Sequence, residues 1–236
     1  MQKNNIDIIF QKEINQKFSF NSEVAAVFDD MANRSIPYYR DNIHLISHIL
    51  QSKKINSLCD MGCSTGNLLL ELSRNLRDVR LSGIDNSSSM LDIAKAKAKA
   101  YGANICFIQA DILDFDFDFD VVISNYTLQF VRPINRVNLL SKIYNSLPKN
   151  GIFILSEKLV SSNKWLDKEL IDIYHNFKKE QGYSKTEISK KREALENILI
   201  PYTQEENIAL LKKVGFESVE MIFRFANFAT FIAIKE

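Results

Sequence analysis

The segment Leu58-Cys59-Asp60-Met61-Gly62-Cys63-Ser64-Thr65-Gly66 decides the fold of this chain. It predicts a short buried strand that runs into a glycine turn and then into a helix over residues 66–75. An acidic residue, Asp60, ends the strand, and Gly62 and Gly66 bracket the turn. Glycine lets the backbone come close to a ligand, and the first turn of a helix offers unpaired N–H groups. The segment therefore favours a nucleoside-binding loop.

Two further strands with acidic ends follow. Leu81-Ser82-Gly83-Ile84-Asp85-Asn86 predicts a strand over residues 80–84, and its terminal carboxylate is suited to a ribose diol. Ile105-Cys106-Phe107-Ile108-Gln109-Ala110-Asp111-Ile112 repeats the pattern over residues 105–110. Three successive strands that each end in an acid are a more specific signal than one glycine motif.

The alternation of strands and helices continues along the chain. The pattern predicts a helix over residues 88–101, a fourth strand over 119–125, a helix over 135–147 and a fifth strand over 151–156. The alternating Phe115-Asp116-Phe117-Asp118-Phe119-Asp120 indicates a half-exposed lead-in to the fourth strand. Such alternation implies right-handed crossovers and a mostly parallel sheet covered on both faces, so the fold class is α/β and Rossmann-like.

Helical segments flank this core. Before it, helices are expected over residues 20–34 and 38–51, the second opened by Pro37. After it, a helical insert over residues 160–200, broken near Gly182, contains two helices in 163–200. A helix over residues 204–213 and an antiparallel hairpin of strands 216–224 and 227–234 then close the chain. We expect residues 1–236 to form one domain.

The composition narrows the class of function. The chain has 236 residues, is 46% hydrophobic and 25% charged, and carries a net charge of +1, which argues against a stable nucleic-acid footprint. It has no apolar run long enough to span a bilayer and no signal-peptide core, so a cytoplasmic location is expected. Cys59, Cys63 and Cys106 are interpreted as reduced core thiols rather than metal ligands. His44 and His48 lie one helical turn apart without a third ligand, so no metal site is expected.

The chain resembles a known family on a set of segments that occur in order. From Leu58 to the C-terminus it is similar to class I S-adenosylmethionine-dependent methyltransferases. Beyond residues 1–18, nearly the whole chain resembles the carboxy-S-adenosylmethionine synthases. The segments that carry this resemblance are Val27-Phe28-Asp29-Asp30-Met31, Arg34-Ser35-Ile36-Pro37-Tyr38-Tyr39, Ile84-Asp85-Asn86-Ser87, Asn125-Tyr126-Thr127-Leu128-Gln129-Phe130, Leu155-Ser156-Glu157-Lys158, Gly182-Tyr183-Ser184, Glu187-Ile188-Ser189-Lys190-Lys191-Arg192 and Leu195-Glu196-Asn197.

The resemblance implies an enzyme that does not methylate. Members of that family convert S-adenosylmethionine and prephenate to carboxy-S-adenosylmethionine and phenylpyruvate. A separate tRNA carboxymethyltransferase then places the carboxymethyl group on the wobble uridine of certain tRNAs. The resemblance also implies a homodimer, with the helical insert as the interface, and two leading helices over residues 20–51 that form a lid.

The resemblance also assigns the site residues. Gly62, Cys63 and Ser64 form the cofactor loop, Asp85 and Asn86 hold the ribose, and Asp111 and Ile112 hold the adenine. Asn125 and Tyr39 contact the cofactor, and Arg192 is the catalytic residue that pairs with the added carboxylate. Some of these residues also have a simpler structural interpretation. Asp111 is suited to a helix N-cap, Tyr39 to a position in the core, and Arg192 to a solvated helix face. No protein base is implied, and Lys158 is one candidate for binding prephenate.

Three other functions share parts of this pattern. Gly62-x-Ser64-x-Gly66 fits the nucleophile elbow of α/β-hydrolases, although His175, the available base, is predicted to lie within a helix. An ordinary small-molecule methyltransferase would share every cofactor residue, and so would a non-catalytic module that binds S-adenosylmethionine. Arg192 distinguishes the synthase from an ordinary methyltransferase, because methyl transfer gives this arginine no role. Turnover distinguishes the synthase from a non-catalytic binding module.

Overall fold

The computed structural model describes residues 6–11 and 19–236, which form a seven-stranded sheet with the order β3-β2-β1-β4-β5-β7-β6. Strands β1 to β5 are parallel, and β7 runs antiparallel to both of its neighbours, β5 and β6. The mostly parallel Rossmann-like sheet with an antiparallel C-terminal strand is thereby confirmed. The strands are β1 (Ser57–Met61), β2 (Arg80–Asp85), β3 (Ile105–Gln109), β4 (Val121–Asn125), β5 (Ile152–Lys158), β6 (Ser218–Phe225) and β7 (Phe228–Ile234).

Helices cover both faces of the sheet, and further helices precede β1 and lie between β5 and β6. None of those within the described residues is long and apolar enough to cross a lipid bilayer. The helices are α1 (Ser22–Ser35), α2 (Tyr39–Gln51), α3 (Asn67–Asn75), α4 (Ser88–Tyr101), α5 (Pro133–Ser146), α6 (Lys164–Glu180), α7 (Lys185–Ala194) and α8 (Gln204–Lys213). The insert between the fifth and sixth strands is therefore α6, α7 and the chain that leads to α8, with its break at Gly182 as predicted.

Local capping sets the helix ends. Helix α1 begins at Ser22 rather than at residue 20, because the Asn21 side chain accepts the N–H of Val24 at 3.0 Å. Helix α2 begins at Tyr39, since Tyr38 has a left-handed backbone with φ of 54°. Helix α5 starts at Pro133, two residues earlier than predicted, with proline in the first turn, where its missing N–H costs nothing.

The core lies on both faces of the sheet. Side chains of alternating residues along β5 separate into two clusters, with Phe153 and Leu155 on one face and Ile152 and Ile154 on the other. Every residue of β1 is buried. Burial on both faces explains why the strand sequences are nearly continuous hydrophobic segments. The polar residues that end the strands meet instead at the carboxyl edge of the sheet.

Two strand predictions need correction. The fourth strand begins at Val121, not at residue 119. Just before it, the Asp120 carboxylate accepts the N–H groups of Asn56 (2.6 Å) and Ser57 (3.2 Å) at the start of β1. Cys106 is exposed, unlike Cys59 and Cys63, because β3 is an edge strand of the sheet. Position in the sheet, not residue type, decides the exposure of this thiol.

Candidate functional site

A cavity of about 480 Å³ opens at the carboxyl edge of the sheet, beneath α1 and α2. Strands β1, β2 and β4 each contribute their terminal polar residue, namely Asp60 near the end of β1, Asp85 and Asn125. Nine of the ten residues assigned to the site from sequence line this cavity: Tyr39, Gly62, Cys63, Ser64, Asp85, Asn86, Asp111, Ile112 and Asn125. The tenth, Arg192, does not.

The loop after β1 is held against the end of β2. The backbone N–H groups of Gly62 and Cys63 both donate to the Ile84 carbonyl, at 2.7 and 2.9 Å. Gly62 has φ of +73°, and a Cβ there would clash with the Thr127 side chain, so this turn requires glycine. Ser64 also has a positive φ, 48°. The loop is thus rigid and brings its backbone to the cavity wall.

Asp85 is bound on both carboxylate oxygens by backbone groups. Oδ2 accepts the N–H of Ser64 and Oδ1 accepts the N–H of Ser87, each at 2.9 Å. Burial raises the pKa of Asp85, while these hydrogen bonds oppose the rise. Each carboxylate oxygen retains a further lone pair, which suits acceptance from a diol in the cavity.

Asp60 is a site residue that the sequence-based list omitted. Its side chain is 2% exposed, and Oδ1 has no hydrogen-bond partner among the described residues. Burial, together with the nearby Asp85 charge, raises the pKa of Asp60 well above its usual range. A buried acceptor without a partner is costly, so a donor from a ligand, such as an ammonium or a hydroxyl, fits this position. The acid at the end of the first strand was the available signal.

Asp111 closes a turn and does not cap a helix. Its Oδ1 accepts the N–H of Leu113 at 2.9 Å, and its carbonyl accepts the N–H groups of Asp114 and Phe115 at 3.1 Å. The helix N-cap interpretation is therefore wrong, since no helix follows Asp111 before β4. Asp111 is exposed at the cavity rim and Ile112 beside it is half-buried, so this pair offers one polar and one apolar contact.

The other end of the cavity combines an amide with aromatic rings. Asn125 Oδ1 and the Tyr126 hydroxyl are both buried without a partner among the described residues. Tyr126 has φ of 60°, and its ring centroid lies 6.4 Å from that of Tyr39. Burial raises the pKa of both tyrosines, so both are neutral hydroxyl groups at neutral pH. The left-handed backbone that directs Tyr126 into the cavity has no signature in its residue type.

Helix α1 is attached to the loop through one carboxylate. Asp29 accepts hydrogen bonds from Thr65 Oγ1 (2.5 Å), Asn67 Nδ2 (2.9 Å) and Lys97 Nζ (2.7 Å). Three donors, one from the loop before α3, one from the start of α3 and one from α4, thus converge on one side chain of α1. This connection positions the leading helix over the cavity.

Arg192 lies outside the cavity, although its neighbour Lys191 lines it. Arg192 is exposed on α7 and borders a separate depression of about 500 Å³ with Asp172 and His175. Lys191 is buried, and its Nζ donates to Ser35 Oγ at 2.6 Å. Successive helical residues point about 100° apart, and the rotation of α7 that turns Lys191 into the cavity turns Arg192 away from it. One chain alone does not bring Arg192 to the other nine residues.

The hydrolase arrangement is absent from the described residues. His175 lies on α6, as predicted, and borders the Arg192 depression rather than the cavity that Ser64 lines. Within the same part of the chain, no three His, Cys, Asp or Glu side chains are grouped so as to hold a metal ion. His44 instead contacts Glu71, with Nδ1 and Oε1 separated by 3.0 Å.

Comparison with solved structures gives the same fold. An O-methyltransferase family protein from Burkholderia thailandensis superposes with a TM-score of 0.70 at 12% identity, covering 97% of this chain and 66% of that one. The plantazolicin methyltransferase BpumL, solved with SAH and a substrate analogue, gives a TM-score of 0.65 at 18% identity and covers 89% of each chain. A methyltransferase domain model matches residues 58–151. The class I methyltransferase fold expected from the sequence is confirmed.

Comparison with curated proteins gives the family. Carboxy-S-adenosyl-L-methionine synthase from Helicobacter hepaticus is 52% identical over 237 residues, which cover 97% of this chain and 99% of that protein. The proteins of the same name from Nautilia profundicola and Nitratiruptor sp. are 50% and 51% identical, each covering 97% of this chain. These matches extend through the leading helices and the insert, well beyond the part shared with methyltransferases in general. The chain therefore belongs to the carboxy-S-adenosyl-L-methionine synthase family of enzymes.

Proposed function

We propose that this protein converts S-adenosylmethionine and prephenate to carboxy-S-adenosylmethionine and phenylpyruvate. The observation that carries the proposal is identity of about half over nearly the full length of proteins with that synthase name. When bound, S-adenosylmethionine would supply the carbon that accepts carbon dioxide. Prephenate would release carbon dioxide and its ring hydroxyl as hydroxide when its ring becomes aromatic, and the hydroxide would take a proton from that carbon, so that water is the further product. The chain's own residues bind, orient and shield the reactants.

The cavity fits the proposed cofactor in its distribution of polar groups. Asp85 and Asn86 are suited to the ribose hydroxyls, and Asp111 with Ile112 to the adenine amine and ring. The partnerless Asp60 oxygen suits the cofactor ammonium, and the partnerless Asn125 amide oxygen lies at the end of β4. Two buried orphan acceptors in one cavity support a ligand that carries donors at both places.

We propose that the added carboxylate is bound by Arg192 of a second copy of the chain. Arg192 is exposed, makes no ion pair with any described residue and lies outside its own cavity. An extra carboxylate in a closed site calls for a cation, and a guanidinium binds it with two parallel hydrogen bonds. Helix α6 of the insert exposes Trp165, Leu166 and Ile173, which supports a homodimer with the insert as the interface.

The chemistry of the product indicates which kind of reaction would use it. The carboxymethyl donor would be consumed by a separate tRNA carboxymethyltransferase that modifies the wobble uridine, in the cytoplasm. The net charge of +1 supports this division, since the present chain would handle only small molecules. Ordinary methyl transfer is the second candidate, favoured by the exclusion of Arg192 from the cavity of a single chain.

Mass spectrometry tests the proposal directly. Purified protein incubated with S-adenosylmethionine and prephenate should yield carboxy-S-adenosylmethionine and phenylpyruvate in equal amounts, and neither without prephenate. Formation of S-adenosylhomocysteine with an added nucleophile, and no carboxylated product with prephenate, would instead identify an ordinary methyltransferase.

A further inference from the structure

Two lysine ammonium groups, of which only that of Lys158 belongs to a residue lining the cavity, lie against one buried tyrosine ring. The Nζ atoms of Lys158 and Lys178 are 5.0 and 4.3 Å from the centroid of the Tyr174 ring. Lys158 and Tyr174 both line the cavity, and the Lys178 side chain is only 4% exposed. Lys158 and Lys178 form a lysine pair on the Tyr174 ring.

The lysine pair makes no close salt bridge within the described part of the chain. Neither Nζ makes an ion pair or a hydrogen bond with a described residue. The charges around Lys178 are Lys158, Lys191 and Arg192, all cationic, with His175 one turn before it on α6. The acid facing Lys158 is Asp167, whose Oδ1 already accepts the N–H of Ser161 at 2.7 Å.

Such crowding of cations is unfavourable without an anion. Burial lowers the pKa of both lysines, and the neighbouring cations add to this for Lys178, which reaches about 7. The ring of Tyr174 attracts an ammonium, but this attraction is weaker than the hydration that two ammonium groups lose on burial. An anionic group bound between the two Nζ atoms would remove this imbalance.

Aromatic rings connect the lysine pair to the reacting end of the cavity. The Tyr174 ring is 5.0 Å from that of Phe228, which is 6.0 Å from that of Tyr126, next to Asn125. In the sheet, Asn125 pairs with Ser156, two residues before Lys158 on β5. A wall of rings between an amide and a pair of cations suits a molecule that carries both a ring and a carboxylate.

We propose that Lys158 and Lys178 form a carboxylate-binding subsite for the ring-bearing dicarboxylate that serves as the second substrate. This deepens the proposed function and rests on it. One carboxylate of that substrate binds between the two ammonium groups, and its ring packs along Tyr126 and Phe228. The other carboxylate, which leaves the ring as carbon dioxide, then points toward Asn125, where the cofactor carbon would take it up and give a proton to the hydroxide that the ring also loses. The lysines bind and orient, and they take no part in bond breaking.

Substitution of each lysine tests the subsite. In K158M and K178M, the KM for prephenate should rise by about tenfold or more, while the Kd for S-adenosylmethionine stays within about twofold of the parent. K178R should recover most of the affinity, because it keeps the charge. K168M, which removes an exposed lysine of the same helix, is the matched control and should behave as the parent.

Binding of phenylpyruvate, measured by calorimetry, separates the two levels of the proposal. A parent that binds phenylpyruvate but makes no carboxylated product overturns the proposed function. Unchanged phenylpyruvate affinity and prephenate KM in both methionine variants overturn the lysine subsite and leave the function standing. A parent that binds neither anion overturns both.

The pH dependence of the parent keeps the inference falsifiable if the variants do not fold. Lys178 is charged below about pH 7, so phenylpyruvate affinity should fall as pH rises from 6 to 9. Affinity that stays constant over that range overturns the subsite.

Discussion

The Asp85 carboxylate accepts the backbone N–H of Ser64 at 2.9 Å, which joins the end of β2 to the loop after β1. The same carboxylate accepts the N–H of Ser87 at the start of α4. Asp85 therefore holds the shape of the loop and presents its remaining lone pairs to the cavity. The acid has a structural role even before a ligand binds, and a variant at this position tests both roles.

Asp85→Ala should weaken binding of S-adenosylmethionine and of its carboxylated form by the same amount, about 1–3 kcal/mol, because the ribose is common to both. Asp85→Asn keeps one acceptor oxygen, so its affinity for each ligand should lie between those of the parent and of the alanine variant. Calorimetric titration measures all four affinities. Unchanged affinity for both ligands in the alanine variant would remove Asp85 from the ligand site.

Arg192→Leu should leave S-adenosylmethionine affinity nearly unchanged and reduce affinity for the carboxylated product by about 2–4 kcal/mol, since a buried anion would lose its partner. Production of carboxy-S-adenosylmethionine should fall steeply. Glu196→Gln, an exposed change just after the same helix, is the control. A leucine variant with parental affinities and turnover would show that Arg192 is only a solvated surface residue.

Mixing two impaired variants, at an S-adenosylmethionine concentration too low to fill the Asp85→Ala site, tests whether Arg192 acts across a dimer. A mixed dimer of Arg192→Leu and Asp85→Ala contains one site with an intact Asp85 and an arginine supplied by its partner. Random exchange of subunits should restore about a quarter of the parental activity, because half of the dimers are mixed and each has one complete site. Activity that remains at the level of the separate variants would place the arginine in its own subunit or outside the site.

Ser64→Ala should leave turnover largely intact, because the contact to Asp85 is made by the backbone N–H, which alanine retains. The left-handed backbone at Ser64 favours glycine, so Ser64→Gly should be the more stable of the two variants in thermal unfolding. Near-total loss of turnover in both variants, together with esterase activity in the parent, would restore the hydrolase interpretation.

Glu157→Gln should alter how stability depends on pH. Glu157 is fully buried, and burial raises its pKa to about 8, with Arg136 opposing the rise. Because the pKa of Glu157 is higher in the folded than in the unfolded state, its protonation contributes to the free energy of unfolding. This contribution is complete below the pKa of the unfolded state and is lost as pH rises through 8. The free energy of unfolding should therefore decline from about pH 5 to pH 8 more steeply in the parent than in the glutamine variant. Parallel denaturation profiles of the two proteins would contradict this.

Much of the site follows from local sequence patterns. In a parallel sheet the carboxyl ends of the strands lie on one edge, so residues that end successive strands converge whatever their distance along the chain. The order of elements, the glycine turn and the helical insert are local properties of 57–61, 62–66 and 160–200, and the sequence alone indicates them. For this reason Asp85, Asp111 and Asn125 all reach the same cavity.

Other features depend on packing between distant elements. Cys106 is exposed because β3 is at the sheet edge, a position that the order of strands along the chain does not reveal.

The choice between neighbours on α7 is also tertiary. In Lys190-Lys191-Arg192-Glu193, residue type does not say which cation faces inward. The packing of α7 against α6 and the segment Ile9–Gln11 buries Lys191 and leaves Arg192 exposed. Likewise, Lys158 and Lys178 meet at Tyr174 only because α6 folds back over the end of β5. The sequence by itself determined which residues end each strand, since that property is local; the tertiary structure decided which side chains share a buried volume, since that depends on the rotation and docking of whole helices.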